Sequence, residues 1–134
     1  MANAFEIDIR GQREVMRRLN AAGDAVGGRA FMPALRSAAT VVVNDAKKRA
    51  PVLTGTLRRS IHQEDAPGQL AVLVGTDLDY ARRVEEGFAQ RDRLGRRYNQ
   101  PAQPYLRPAL DENVDAIVRE FWNSLDDILR KAMR

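Results

Sequence analysis

APVLTGTLRRSI, residues 50–61, decides the fold, because any helix before it must end inside it and another kind of structure must begin. Pro51 has no N–H to donate to a continuing helix and pushes Ala50 out of helical dihedrals, so the helix stops there. Thr54-Gly55-Thr56 supplies a turn. Beyond it, Leu57 to Glu64 and Leu70 to Thr76 read as two strands joined by the turn-rich Asp65-Ala66-Pro67-Gly68, a β-hairpin. Leu70, Val72 and Val74 alternate with Ala71, Leu73 and Gly75. The second strand is therefore apolar on both faces and is expected at the centre of its sheet.

Upstream, the spacing predicts a helix from about residue 29 to residue 50, with Pro33 in its first turn and Leu35, Ala38, Ala39, Val42, Val43 and Ala46 along it. Its small residues allow another element to approach closely. Earlier still, AFEIDIR at residues 4–10 alternates like a half-buried strand, and Gly11 ends it. Val15, Met16, Leu19 and Ala22 then follow helical spacing from Gln12 until Gly23 and the Gly27-Gly28 pair.

Downstream, DLDYARRVEEGF predicts a short helix capped by Asp77 or Asp79, with Tyr80, Ala81 and Val84 on one side and Gly87 at its end. Residues 88–104 form a basic excursion in which Arg91, Arg93, Arg96 and Arg97 crowd around Gly95, an exposed loop or protruding hairpin. Pro101, Pro104 and Pro108 stiffen its return. From about residue 106 to residue 133, Leu110, Val114, Ile117, Val118, Phe121, Leu125, Ile128 and Leu129 keep helical spacing, the longest amphipathic element.

These elements make one α+β domain spanning residues 1–134: a mixed or antiparallel sheet of about four strands against the helices of residues 29–50 and 106–133. A hydrophobic fraction of 44% beside 30% charged residues argues against wholesale disorder. No stretch approaches the roughly 18 consecutive apolar residues of a membrane span. MANAFEIDIRG carries charges within its apolar run and no basic region before it, so it is not expected to act as a secretory signal, and a cytoplasmic place of synthesis and assembly is expected. With no cysteine, disulfides and thiolate sites are excluded. The net charge of +4 rests almost wholly on arginine, lysine standing only at Lys47, Lys48 and Lys131. Arginine suits protein interfaces and phosphates alike, though a GC-rich genome produces the same bias.

The chain offers little for chemistry. His62 is the only histidine, which leaves two-histidine metal sites and histidine-carboxylate relays without partners. Glu85-Glu86, Asp111-Glu112 and Asp126-Asp127 are neighbours that point in different directions, unlike the facing carboxyls of a glycosidase. The glycines of residues 23–28 lack the lysine and the flanking strand of a phosphate loop. Arg91, Arg93, Arg96 and Arg97 could contact nucleic-acid phosphates, but no helix-turn-helix, zinc finger or stacking platform accompanies them. Trp122, beside Phe121, packs in the core or anchors an interface.

Three stretches together resemble the tail-completion or tail-component family of long-tailed bacteriophages, the Hong Kong 97 gene-product-ten-like proteins: AKKRAPVLTGTLRRSI, GTDLDYARRVEEGF and QPAQPYLRPAL. The resemblance spans about residues 40–110. It implies a structural α+β subunit with no catalytic residues, cofactor or metal, assembled into a ring, commonly of six copies, at the head–tail junction of the virion. Implied partners are further copies of itself, a head-completion or connector protein, the tail tube protein, and double-stranded DNA passing through the lumen without sequence-specific binding; no membrane is involved. The candidate interface residues under this resemblance are Arg58, Arg59, Tyr80, Arg82, Arg83, Glu85, Glu86, Arg91, Arg93, Arg96, Arg97, Tyr98, Tyr105 and Arg107, with Pro51, Thr54, Gly55, Gly87 and Pro104 as turn residues.

The chain departs from the family at Phe88, where a small residue and a variable loop usually follow Gly87. Arginines in a DNA-conducting lumen would create drag, which puts the basic loop on a protein-facing rim. The rival reading is a nucleic-acid-binding accessory protein that uses residues 91–97. An enzyme built around His62 comes third.

Overall fold

The computed structural model describes residues 3–7, 24–52, 54–68, 70–91 and 93–132. The fold is α+β. In chain order the elements are β1 (Asn3–Ile7), α1 (Asp24–Arg49), α2 (Thr56–Ser60), β2 (His62–Asp65), β3 (Val72–Thr76), α3 (Ala81–Glu86), β4 (Phe88–Arg91), β5 (Arg97–Gln100), α4 (Leu106–Asp111) and α5 (Val114–Ala132). The helix expected over residues 12–22 and the end of the strand expected over residues 4–10 lie outside the described residues.

Instead of one four-stranded sheet, the strands form an antiparallel three-stranded sheet in the order β1-β3-β2 and a separate antiparallel β4–β5 hairpin. In the larger sheet Phe5 pairs with Val74 and Ile7 with Val72 on one side, and His62 with Gly75 and Asp65 with Val72 on the other. β3 is thus central, and Val72 and Val74 are fully enclosed. The exclusion of β4 and β5 has a chemical reason: their residues are FAQR and RYNQ, exposed except at half-buried Phe88, and they have almost no apolar surface to bring to the core.

α1 begins well before residue 29 and carries Pro33 in its interior, not in its first turn. The backbone bond that Pro33 cannot donate is offset by packing around it: Phe31 and Leu35 are fully buried, and the Phe31 ring meets Phe121 of α5 edge-on at 5.6 Å. Ala34, Ala38, Ala39, Val42 and Ala46 continue the buried face. Their short side chains let α5 lie close along α1 while β2 and β3 cover another side. A side chain as enclosed as Phe121 contributes roughly 3–5 kcal/mol when judged by truncation to alanine.

Residues 57–60 are helix, not strand. Gly55, at φ +78°, starts the turn, and Leu57 and Ile61 are both buried four residues apart, the spacing of one helical face. The C-terminal helix is broken as well. Glu112 and Asn113 separate α4 from α5, because α1 captures both: Asn113 Nδ2 donates to Asp45 Oδ2 at 2.7 Å and to the Ala109 carbonyl at 2.8 Å, and Arg49 pairs with Glu112. Arg49 Nε also donates to Asp45 at 2.7 Å. Partial burial pushes the Asp45 carboxyl up, but hydrogen bonds from Arg49 and Asn113, with the charges of Arg49 and Lys48, hold it below the usual carboxylate range. Midway along α1, Arg36 grips Asp65 with Nε and Nη2 at 3.1 and 2.6 Å, which tethers β2 to α1 and lowers the Asp65 pKa.

Candidate assembly surface

The opening motif builds a joint. Thr54 Oγ1 and Thr56 Oγ1 lie 2.9 Å apart across Gly55, and the Arg59 N–H donates to the Gly55 carbonyl at 3.0 Å, so the turn passes directly into α2. Leu57 points into the core while Arg58 and Arg59 stay exposed. At the end of α2 a chain of polar groups fastens the joint to the sheet: the Leu78 N–H donates to Thr76 Oγ1 at 3.2 Å, the Thr76 hydroxyl to Ser60 Oγ at 2.6 Å, and the Ser60 hydroxyl to the Leu57 carbonyl at 2.6 Å. Thr76 is fully buried, and this relay satisfies it.

α3 follows. Ala81 and Val84 are buried, while Arg82, Arg83 and Glu86 face outward. Tyr80, not Asp77 or Asp79, occupies the N-cap position, with no side-chain cap bond. Arg82 pairs with Glu86 at 3.1 Å, and the Arg83 guanidinium lies over the Phe88 ring at 4.6 Å, a cation–π contact at the root of the hairpin. Gly87 ends α3 at φ +80°, ψ 173°, a region essentially reserved for glycine. A Cβ here would also lie 2.9 Å from the Ala102 nitrogen and 3.0 Å from the Gln100 carbonyl oxygen.

Glu85 turns inward. Its Oε2 accepts the N–H groups of Tyr105 at 2.7 Å and Leu106 at 3.0 Å, and its Oε1 accepts that of Arg107 at 2.9 Å. These are donors that the first turn of a helix cannot satisfy by itself, so Glu85 caps α4 from twenty residues upstream. Tyr105 is fully buried, with its hydroxyl 3.4 Å from the Ala81 carbonyl. Burial, followed by the nearby charges of Glu85 and Tyr80, pushes the phenol up, so it stays protonated. Both residues serve the subunit's own fold: enclosed Tyr105 cannot touch a neighbour, and the Glu85 carboxylate is spent on α4.

Between these two parts runs the hairpin. Phe88 pairs with Gln100, Gln90 with Tyr98, Ala89 with Asn99, and Arg91 with Arg97. Alternation therefore sets Arg91 and Arg97 side by side on one face and Gln90 and Tyr98 on the other. At the tip, Leu94 is 78% exposed. A groove of about 340 Å³, bordered by Thr54, Gly55, Tyr80 and Gln103, separates the hairpin base from the joint.

Most of the sequence-derived surface residues are exposed: Arg58 and Arg59 on α2, Tyr80 at the N-cap of α3 with Arg82, Arg83 and Glu86 on the helix, and Arg91, Arg93, Arg96, Arg97 and Tyr98 in the hairpin. Arg107 is exposed on α4. Sequence reasoning overlooked Ser60, Thr76 and the capping role of Glu85; a Ser next to buried Ile61 and a Thr ending an apolar strand were the available signs. Among the described residues no group of three or more His, Asp or Glu is placed to hold a metal ion, and no helix is long and apolar enough to cross a membrane.

Residues 13–87 match the profile of the HK97-gp10-like family, described as "Bacteriophage HK97-gp10, putative tail-component". The chain belongs to that family. Membership makes this tail component a virion-associated structural protein of phage type. The chain has no significant match among curated proteins or solved structures. The matched residues contain the joint, the three-stranded sheet's β2 and β3, and all of α3. They end at Gly87, immediately before the basic hairpin.

Proposed function

We propose that this chain is a structural subunit forming a homo-oligomeric ring of six copies at the head–tail junction of a tailed bacteriophage or prophage. There it completes the tail and joins it to the head connector. The observation that carries the reading is the hairpin: a basic two-stranded arm, outside the core and exposed along nearly its whole length, on a chain of the tail-component family. An arm that contributes so little to its own fold is explained by what it reaches. Ring closure makes many weak contacts simultaneous, so avidity replaces the affinity of any single edge. The head connector and the tail tube protein are the neighbours, and genomic DNA crosses the lumen while the arginines stay on the rim.

The test is genetic and visual. Phage lacking this gene should yield DNA-filled heads and separate tails, and images of intact particles should show the ring at the neck. Infectious particles with firmly attached tails in its absence would refute the reading.

The paired arginines on one hairpin face favour one second reading, a protein that grips duplex phosphates. It requires binding with a steep salt dependence that disappears when Arg91, Arg93, Arg96 and Arg97 are changed to Ser, with assembly unaffected.

A further inference from the structure

α5 carries more apolar surface than it buries. Ile117, Phe121 and Leu125 are enclosed on the side that packs against α1. Beside them a second apolar strip runs along one flank of the helix: Val114 and Val118, 52% and 39% exposed, then Trp122 and Leu129, both half-buried. Residues four and seven apart share a flank, so the strip is continuous. The Trp122 ring meets Phe121 edge-on at 5.4 Å and still leaves part of its surface in solvent. It packs on the core with one edge and offers the rest to a neighbour.

Charged residues border this strip on its solvent side. In chain order they are Asp115, Arg119, Asp126 and Arg130, all exposed. Asp115 with Arg119, and Asp126 with Arg130, have the i, i+4 spacing and order that favour pairing within one helix. The structure does not pair them. Among the described residues none of the four makes an ion pair, whereas Lys131 and Asp127 on the opposite flank bond at 3.0 Å.

The order of the signs carries a direction. When a second α5 is laid antiparallel, centred on the Trp122–Asn123 peptide, Asp115 comes opposite Arg130 and Arg119 opposite Asp126. A parallel copy sets like against like at all four places. Charges that flank a helical seam choose partner and direction in this way. The same antiparallel register brings Val118 level with the gap between Leu125 and Leu129 of the other helix, and it brings the two Trp122 rings together at the axis.

We propose that two copies of the free subunit pair through α5, antiparallel, with the apolar strips in contact and reciprocal Asp115–Arg130 and Arg119–Asp126 pairs along the borders. A surface complementary to its own reverse needs no other protein to explain it, so the observations favour a second copy. The contact is isologous and closes at two. It accounts for a paired subunit before assembly and leaves the ring to other surfaces, so either reading can fail without the other. One helix from each copy makes a small interface, and the pair is correspondingly weak.

Sedimentation velocity and native mass spectrometry from micromolar to near-millimolar concentration test it. The native chain should pass from one copy to two. Trp122, the only tryptophan, should move its emission to shorter wavelength over the same range. Arg119→Asp alone and Asp126→Arg alone each replace two attractive pairs by two repulsive ones across the axis, and each should weaken pairing by at least about 10-fold. The double variant Arg119→Asp with Asp126→Arg should pair as the native chain does, and so should an equimolar mixture of the two single variants. That recovery also shows the variants are folded. A native chain monomeric throughout, single reversals without effect, a double variant that fails to recover, or association that leaves the Trp122 emission unchanged would each overturn the pairing. None of these results touches the ring, which particle imaging decides.

Discussion

Replacing Glu85 by alanine should destabilise the subunit far more than the same change at its neighbour Glu86. Glu85 holds three backbone donors. The Arg107 N–H is exposed and recovers its loss from water, whereas those of Tyr105 and Leu106 are partly buried. An orphaned buried donor costs about 1–3 kcal/mol, so the two together give about 2–4 kcal/mol after partial rehydration. Glu86 makes only an exposed pair with Arg82, worth about 0.5 kcal/mol or less. Unfolding a chain of this size has an entropy near 0.28 kcal/mol/K, scaled from about 2.1 cal/mol/K per residue, so 3 kcal/mol lowers the thermal midpoint by about 10 °C. Glu85→Gln, which keeps one acceptor oxygen, should fall between. Urea titration followed by circular dichroism measures all three. Equal midpoints for the alanine variants at positions 85 and 86 would show that the cap carries no weight and that Glu85 is the surface charge its sequence context suggests.

Gly87→Ala should cost about 3–5 kcal/mol, combining a glycine-only backbone region with a clash against the backbone of Gln100 and Ala102, while Gly95→Ala, with φ +78° and open space around it, should cost only about 1 kcal/mol; thermal midpoints of the two check this. Acidification should weaken the fold through Asp45 and Asp65. Their folded pKa values are depressed, so the stability they add is fully present above the unfolded carboxyl pKa, near 3.9, and is lost as pH falls below about 4 through the folded values. Asp45→Asn should accordingly flatten the dependence of the urea midpoint on pH over that window.

Backbone chemistry made much of this fold legible. Pro51 and Gly87 end helices for reasons that need no tertiary context, and an apolar strand with two buried faces must lie inside a sheet, as β3 does. The misreadings share another origin. Leu57 and Ile61 have helical spacing, but their place between two turn-rich stretches, Thr54-Gly55-Thr56 and Asp65–Gly68, invites a strand reading, and only the burial of both on one face decides it. Glu112-Asn113 contains neither glycine nor proline; the C-terminal helix breaks there because Asp45 and Arg49, more than sixty residues upstream, capture both side chains. Glu85 looks like half of a solvated acidic pair until the chain returns at Tyr105 to place three donors over it. Local rules cannot see partners supplied by distant chain. Of the candidate surface, the sequence showed its charged residues, while the register that opposes Arg91 and Arg97, and the edge position of β2, exist only once strands pair.

The clamp between Glu85 and the start of α4 has an evolutionary corollary. It closes residues 86–104 into a loop whose two ends are held by the body of the subunit, and closing a longer or shorter loop between fixed ends changes the entropy only slowly. Everything beyond Gly87 up to the Pro104 return therefore behaves as an interchangeable insert: grafting an excursion of different length or charge should change which neighbour the subunit accepts while leaving its folding intact, so mating specificity can diversify without renegotiating the core.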